Sequence, residues 1–297
     1  MSQPDRSDIR EPEKVQLNLT SILVAIDSTS AARPLVKSAI HLAFRTKANL
    51  RAIYIEESEW FEASRFSFTQ QVSSYTGELL PFTEKDLSDE SKAVGALHKR
   101  LLSGYSKQLQ VRWNYEIKRG PVDRELLKAA SISDLVHIGR VRISGRRTAR
   151  IGRNARYLAG QCNVPLCIWN EPTPEWPTQL IGLCTTPKES VQVVNWTLGL
   201  AATLGRTPRL FWSEELMEKS ERDRFAEEVH KWFPEIEDQV FVNSEMYGSI
   251  DTDLLSHYPG PLLIARRKML GAGVDEAEMK RKKPLFERLA NSLILLS

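Results

Sequence analysis

The sequence lacks any run of about 18 apolar residues, which excludes a membrane-spanning helix. Residues 1–14 are polar and charged without an apolar stretch, so they do not read as a secretory signal. They read, with the next three, as a flexible tail. Cysteine is scarce: Cys162, Cys167 and Cys184 are the only three. Three cysteines cannot build a disulfide framework, and Cys162 and Cys167 have no second pair to complete a zinc site. They read as free buried thiols of a reducing, cytoplasmic environment. The five histidines, His41, His98, His137, His230 and His257, show no metal spacing. His137 sits inside an apolar stretch and reads as a core residue rather than a base. No Gly-x-Ser-x-Gly elbow and no Walker A loop is present. No catalytic set and no metal site is therefore expected.

Charge of one sign is also lacking overall. The 41 Lys and Arg nearly balance the 38 Asp and Glu, for a net charge of +3. That balance speaks against nucleic acid as a partner but permits a local anion site. The local exception is Gly139 to Arg156, GRVRISGRRTARIGRNAR, with seven arginines and no acid. It follows the apolar run Leu135-Val136-His137-Ile138. This order reads as a buried strand, a glycine-containing loop, and a helix starting near Gly152. Open α/β sheets hold phosphates and other anions at such a place. Arg153 at a helix N-terminus opposes the macrodipole unless an anion is bound.

The rest of the chain alternates strands with helices. Thr20–Ile26 reads as a buried strand, and Ser30 as the cap of a helix striped by Leu35, Ala39, Leu42 and Ala43. Strands are predicted at Asn49–Ile55, Gln110–Ile117, Asp134–Ile138 and Leu166–Trp169, with a helix from Gly120-Pro121 through Ala130. Residues 170–177, with three prolines, read as a stiff linker. The pattern then restarts. Strands are predicted at Gln179–Cys184, Pro208–Trp212, Gln239–Val242, Pro261–Ala265 and Leu293–Leu296. Helices are predicted at Glu189–Leu204, Glu214–Trp232 and Leu285–Ala290. The repeated order predicts two tandem doubly wound α/β domains, each with a five-stranded parallel sheet. Their bounds are residues 18–170 and 178–297, joined by a linker at 171–177.

The chain resembles the universal stress protein family in its tandem form. The resemblance is carried by Ser21-Ile22-Leu23-Val24-Ala25-Ile26-Asp27, a strand ending in Asp. A second part is a strand ending in Gly139 that opens the pattern G-x2-G-x9-G-[ST]. The third is the proline-led strand Pro165-Leu166-Cys167-Ile168-Trp169. Gly139 and Gly152 match that pattern, and Gly145 falls where many members have a loop glycine. Arg142 and Arg153 stand where the family has glycine and Ser/Thr. The resemblance implies a site of Asp27 toward a ribose, Ile55 toward a base, and Gly139, Arg142, Gly145, Gly152 and Arg153 toward phosphates. With two arginines in it, this is an altered phosphate or anion site. The implied role is non-catalytic ligand binding or signalling in a stress response. ATP binding with slow hydrolysis, and a protein-interaction scaffold without a small ligand, stay open as alternatives.

The resemblance also implies that Leu166–Trp169 and Leu293–Leu296 meet in an intramolecular pseudo-dimer. In the second half, Cys184 reads as the counterpart of Asp27 and Ala265 as that of the strand-4 glycine, a degenerate site. Arg266-Arg267-Lys268 and Lys280-Arg281-Lys282-Lys283 add basic patches there. The segment from Glu56 to Phe82, with Trp60, Phe61, Phe66, Phe68, Tyr75 and Phe82, reads as a long insert. Residues 60–82 within it are the candidate lid or protein-binding surface.

Overall fold

The computed structural model describes residues 17–27, 32–73, 76–140, 151–170, 174–212, 219–233, 241–242, 261–269, 289 and 291–297. The cap at Ser30, the helix start at 214–218 and most of the helix at 285–290 lie outside these residues. In chain order the strands are β1 Ser21–Ala25, β2 Asn49–Glu57, β3 Gln70–Val72, β4 Leu79–Pro81, β5 Trp113–Gly120, β6 Leu135–Gly139 and β7 Leu166–Trp169. They continue as β8 Gln179–Cys184, β9 Thr207–Trp212, β10 Phe241–Val242, β11 Leu262–Arg266 and β12 Leu293–Leu296. The helices are α1 Ala32–Thr46, α2 Ser58–Ala63, α3 Glu84–Leu109, α4 Val122–Ala130, α5 Arg153–Gln161, α6 Pro187–Leu204 and α7 Lys219–Trp232.

Ten strands form one sheet in the order β10-β9-β8-β11-β12-β7-β6-β1-β2-β5. Each half contributes five parallel strands, as expected. They do not form two separate sheets, because β12 pairs antiparallel with β7, Leu293 opposite Ile168 and Leu295 opposite Leu166. The central strands β6, β7, β11 and β12 are buried along almost their whole length. Helices cover both faces, so these strands are apolar on both sides. The pleat divides the side chains of β1 and β6: Ile22, Val24 and Leu135 join the core under α1 and α6, whereas Leu23, Val136 and Ile138 join the core under α4 and α5.

The third strand begins later than the sequence suggests. Gln110 is the left-handed C-cap of α3, with φ 54°, and β5 starts only at Trp113. The insert after β2 is not a loop. β2 runs on to Glu57, α2 follows, and β3 and β4 form a separate antiparallel ribbon. The proline-rich segment does more than link. Its Trp176 is fully buried against Trp169 and His137, and its indole N–H donates to the Ser38 carbonyl of α1 at 3.0 Å.

Packing is close where β8 meets α6. A Cβ built on Gly182 would lie 2.5 Å from Thr197 Oγ1, 3.0 Å from Leu210 Cδ2 and 3.1 Å from Val193 Cγ1. Thr197 cannot easily yield, because its hydroxyl donates to the Val193 carbonyl at 2.7 Å. Gly182→Ala is expected to lower stability by about 1–3 kcal/mol. A urea titration reads this directly, and an unchanged midpoint would contradict the packing argument.

Candidate functional site

In the first half the strand order β5-β2-β1-β6-β7 reverses direction between β1 and β6. Connections leaving β1 and β6 go to opposite sides of the sheet, which opens a crevice at their carboxyl ends. A cavity of about 600 Å³ lies there. Its lining includes Asp27, Ile55, Gly139, Gly152 and Arg153. Five of the seven residues singled out from the sequence therefore share one cavity. The other two, Arg142 and Gly145, lie outside the described residues.

Asp27 follows β1, and its carbonyl is 3.0 Å from His98 Nε2 on α3. A carbonyl only accepts, so Nε2 carries the proton. Nδ1 is then left to accept from the Tyr115 hydroxyl at 3.0 Å. This chain clamps the end of β1 to α3 and β5. Burial holds His98 in its neutral form, lowering its pKa below the ordinary histidine value. Tyr54, packed edge-on to His98 at 5.5 Å, has its hydroxyl pKa raised, first by burial and then by Glu90, Glu56, Glu57 and Asp27. One end of the cavity is thus ringed with carboxylates.

That end is also fastened. Glu56 accepts hydrogen bonds from the Ser91 hydroxyl and, at 2.8 Å, from Arg119 Nε. The Arg119 guanidinium lies 3.5 Å from the centre of the buried Phe61 ring. Trp60 donates its indole N–H to Glu57 at 3.0 Å.

The opposite end is basic. Gly152 is the N-cap of α5, with φ −67° and ψ 164°, and offers no side chain to the first-turn amides. Arg153 is the first residue of α5, is exposed, and no acid follows it in that turn. The free N–H groups of such a turn favour an anion. Arg140, directly after β6, is buried in the cavity wall. Its Nη2 donates to the Asn291 carbonyl in the second half at 3.1 Å. Gly139 is less constrained than the motif implies, since an added Cβ would make only ordinary contact with Leu35 at 3.7 Å.

The strand registers correct the reading of the second half. Ala25 pairs with Ile138 as Leu183 does with Ala265, and Ile138 pairs with Ile168 as Ala265 does with Leu295. Thr185, not Cys184, is therefore the counterpart of Asp27, and Arg266, not Ala265, is that of Gly139. Thr185 is buried and donates to Glu189 at 3.0 Å, and Arg266 reaches Gln192 Oε1. Arg267, read as part of a surface patch, is buried. It donates to the carbonyls of Leu158 and Ala159 at 3.1 and 3.2 Å and to that of Val164. The three cysteines are free and buried. Burial pushes the Cys167 thiol far up and that of Cys184 up to about 12. Among the described residues, no group of three or more His, Cys, Asp or Glu is placed to hold a metal ion.

Sequence reasoning did not find His98, Glu56, Ser91, Arg119 or Arg140 as parts of the site. Arg140 alone had a signal, its place beside Gly139. The others come from α3, β2 and β5 and meet only through folding.

A family model described as the universal stress protein family matches residues 18–169. A universal stress protein from Archaeoglobus fulgidus DSM 4304 is similar in structure, with a TM-score of 0.61 and 11% identity over 93% of this chain and 98% of that one. A putative universal stress protein from Pseudomonas aeruginosa UCBPP-PA14 is similar with a TM-score of 0.57 and 9% identity, over 94% of this chain and 93% of that one. A functionally unknown protein from Pseudomonas aeruginosa PAO1 has a TM-score of 0.55 and 9% identity, over 94% and 92%. No curated protein matches the sequence.

Proposed function

This chain belongs to the universal stress protein family, and on that premise we propose that its first half binds an anionic ligand of nucleotide size without turning it over, in a stress-response or signalling role. The observation that carries this reading is the polarity of the 600 Å³ cavity. Phosphates or carboxylates would meet the uncapped amides of α5, Arg153 and Arg140. Hydroxyls of a sugar would meet Asp27, and an apolar ring would rest on Ile53, Ile55, Val122 and Leu126. The volume falls within the ~300–1,000 Å³ usual for small-molecule sites. Arg142 and Gly145 belong to the same proposal by sequence position. The family's glycine and Ser/Thr are replaced at 142 and 153 by arginine, a bidentate phosphate ligand, which favours an altered anion site over the ordinary one.

We read residues 18–170 and 178–297 as two tandem units forming an intramolecular pseudo-dimer. Support comes from the β7–β12 pairing and from Arg140 and Arg267, which occupy matching places after β6 and β11 and each donate across the seam. The fully buried thiols suit a cytoplasmic setting.

Isothermal titration of the ligand-stripped protein with ATP tests the site. Saturable binding at one site is expected, weakened about tenfold in Arg153→Ala, the loss of roughly one charge-assisted phosphate contact. Phosphate release during the titration would favour the slow-hydrolysis alternative. Absence of binding in the wild type would sink the nucleotide form of the proposal. Binding gained only in Arg142→Ala would identify Arg142 as the block.

A further inference from the structure

We propose that the aromatic insert formed by α2 and the β3–β4 ribbon is a docking surface for a basic, apolar segment of another protein. Trp60, Glu57 and Glu90 also border the ligand cavity, but the exposed aromatic patch and its charge are observations the ligand proposal does not use. Phe68 is 80% exposed, Phe66 56% and Trp60 55%, and Val72, Leu79 and Leu80 of the ribbon are exposed as well. All six residues of the ribbon strands are exposed. Large apolar groups gathered this way mark interaction surfaces, and aromatic side chains dominate binding energy at such surfaces.

The insert is held in shape without burying these groups. Phe66 and Phe68 stack at 5.4 Å. Thr69 donates its hydroxyl to the Ala63 carbonyl at 2.8 Å, and Phe82 N–H returns to the Thr69 carbonyl at 3.3 Å. Gly77, at φ 72°, turns the ribbon and donates to the Ser73 carbonyl at 2.8 Å. Arg119 grips Phe61 from below. A surface already ordered loses less entropy on binding.

Charge selects the occupant. Between residues 57 and 90 stand eight carboxylates, Glu57, Glu59, Glu62, Glu78, Glu84, Asp86, Asp89 and Glu90, against two bases, Arg65 and Lys85. All ten are exposed. Among the described residues, the bases from outside that pair with this set are Arg119, with Glu84, and Lys92, with Asp89. The chain as a whole carries +3, so negative charge is gathered here. This rim repels nucleic acid and anionic lipid, and it repels the same face of a second copy. A protein segment combining Lys or Arg with aromatic or aliphatic side chains satisfies both the patch and its rim.

The test uses the full chain and three labelled 14-residue peptides in fluorescence anisotropy: one of Lys, Leu and Phe, one with Glu for Lys, and one with Ser for Leu and Phe. The first is expected to bind at least about tenfold tighter than the other two. Phe66→Ser/Phe68→Ser should lose about tenfold, and Glu59→Gln/Glu62→Gln should lose severalfold with a shallower salt dependence. Unchanged thermal unfolding of these surface variants shows that the fold is intact. Failure of the wild type to bind the first peptide, or equal binding by the phenylalanine variant, overturns the proposal. So does a wild-type dimer in sedimentation, or wild-type pelleting with phosphatidylserine vesicles, that the phenylalanine variant loses.

Discussion

Arg267→Ala is expected to lower the free energy of unfolding by about 2–4 kcal/mol, read as a shift of the urea midpoint. The guanidinium is buried and serves three carbonyls, those of Leu158 and Ala159 in the last turn of α5 and that of Val164 beyond it. The Leu158 carbonyl also accepts the Cys162 N–H at 2.9 Å, but a last-turn carbonyl such as that of Ala159 has no intrahelical partner, and burial denies it water. Each one left unsatisfied costs about 1–3 kcal/mol. Relief of the buried guanidinium offsets part of that cost, and burial indeed lowers the Arg267 pKa. Arg267→Lys should rescue little, since one ammonium cannot span three divergent acceptors. The donor follows β11 and the acceptors belong to the first half, so the variant should also loosen the β7–β12 seam. Arg140 mirrors this arrangement through Asn291, the counterpart of Val164 before β12. An unchanged midpoint in Arg267→Ala would mean that the carbonyls find other donors.

Acidification from pH 7.5 to 5 should cost about 2 kcal/mol through His137 alone. His137 is fully buried against Trp169 and Trp176, and burial lowers its pKa to about 3. Ser38 Oγ donates to the Leu35 carbonyl at 2.9 Å, so it accepts from His137 Nε2–H at 2.9 Å, and the ring is neutral. The unfolded chain takes up a proton near pH 6.5, whereas the native ring does not until about pH 3. Stability from this group is therefore complete above pH 6.5 and is lost as pH falls toward 3. His98, also lowered by burial, acts in the same direction. His137→Phe should flatten the dependence by about 2 kcal/mol between pH 7.5 and 5. Urea titrations at the two pH values, in wild type and variant, measure it, and parallel losses in both would refute the assignment.

The strands were the most legible part of this chain. Ser21–Ala25, Leu135–Gly139 and Leu166–Trp169 are covered on both faces, so each is a short, continuous apolar run in the sequence. That Asp27, Gly139 and Gly152 would come together at one cavity was legible because the family pattern places them at strand and helix ends. α3 was not legible, although it is 26 residues long. Its buried face is Ser91, Gly95, His98, Leu102 and Ser106. Small and polar residues let the helix lie close to its neighbours, with a Cβ on Gly95 only 3.0 Å from Ile117 Cδ1. An apolar stripe was therefore missing where a helix was present.

The sequence by itself determined the α/β alternation, the strand ending at Gly139 and the helix starting after Gly152, and the apolar strands that join the halves. Those features are local: they depend on which residues follow one another along a strand or into a helix. Only the tertiary structure decided which of Arg266, Arg267 and Lys268 is buried, that Thr185 rather than Cys184 answers to Asp27, and that Glu56, Ser91 and Arg119 close one end of the cavity. Pairing register and contacts between residues far apart in sequence settle these points, and neither is written in the order of residues along any one segment.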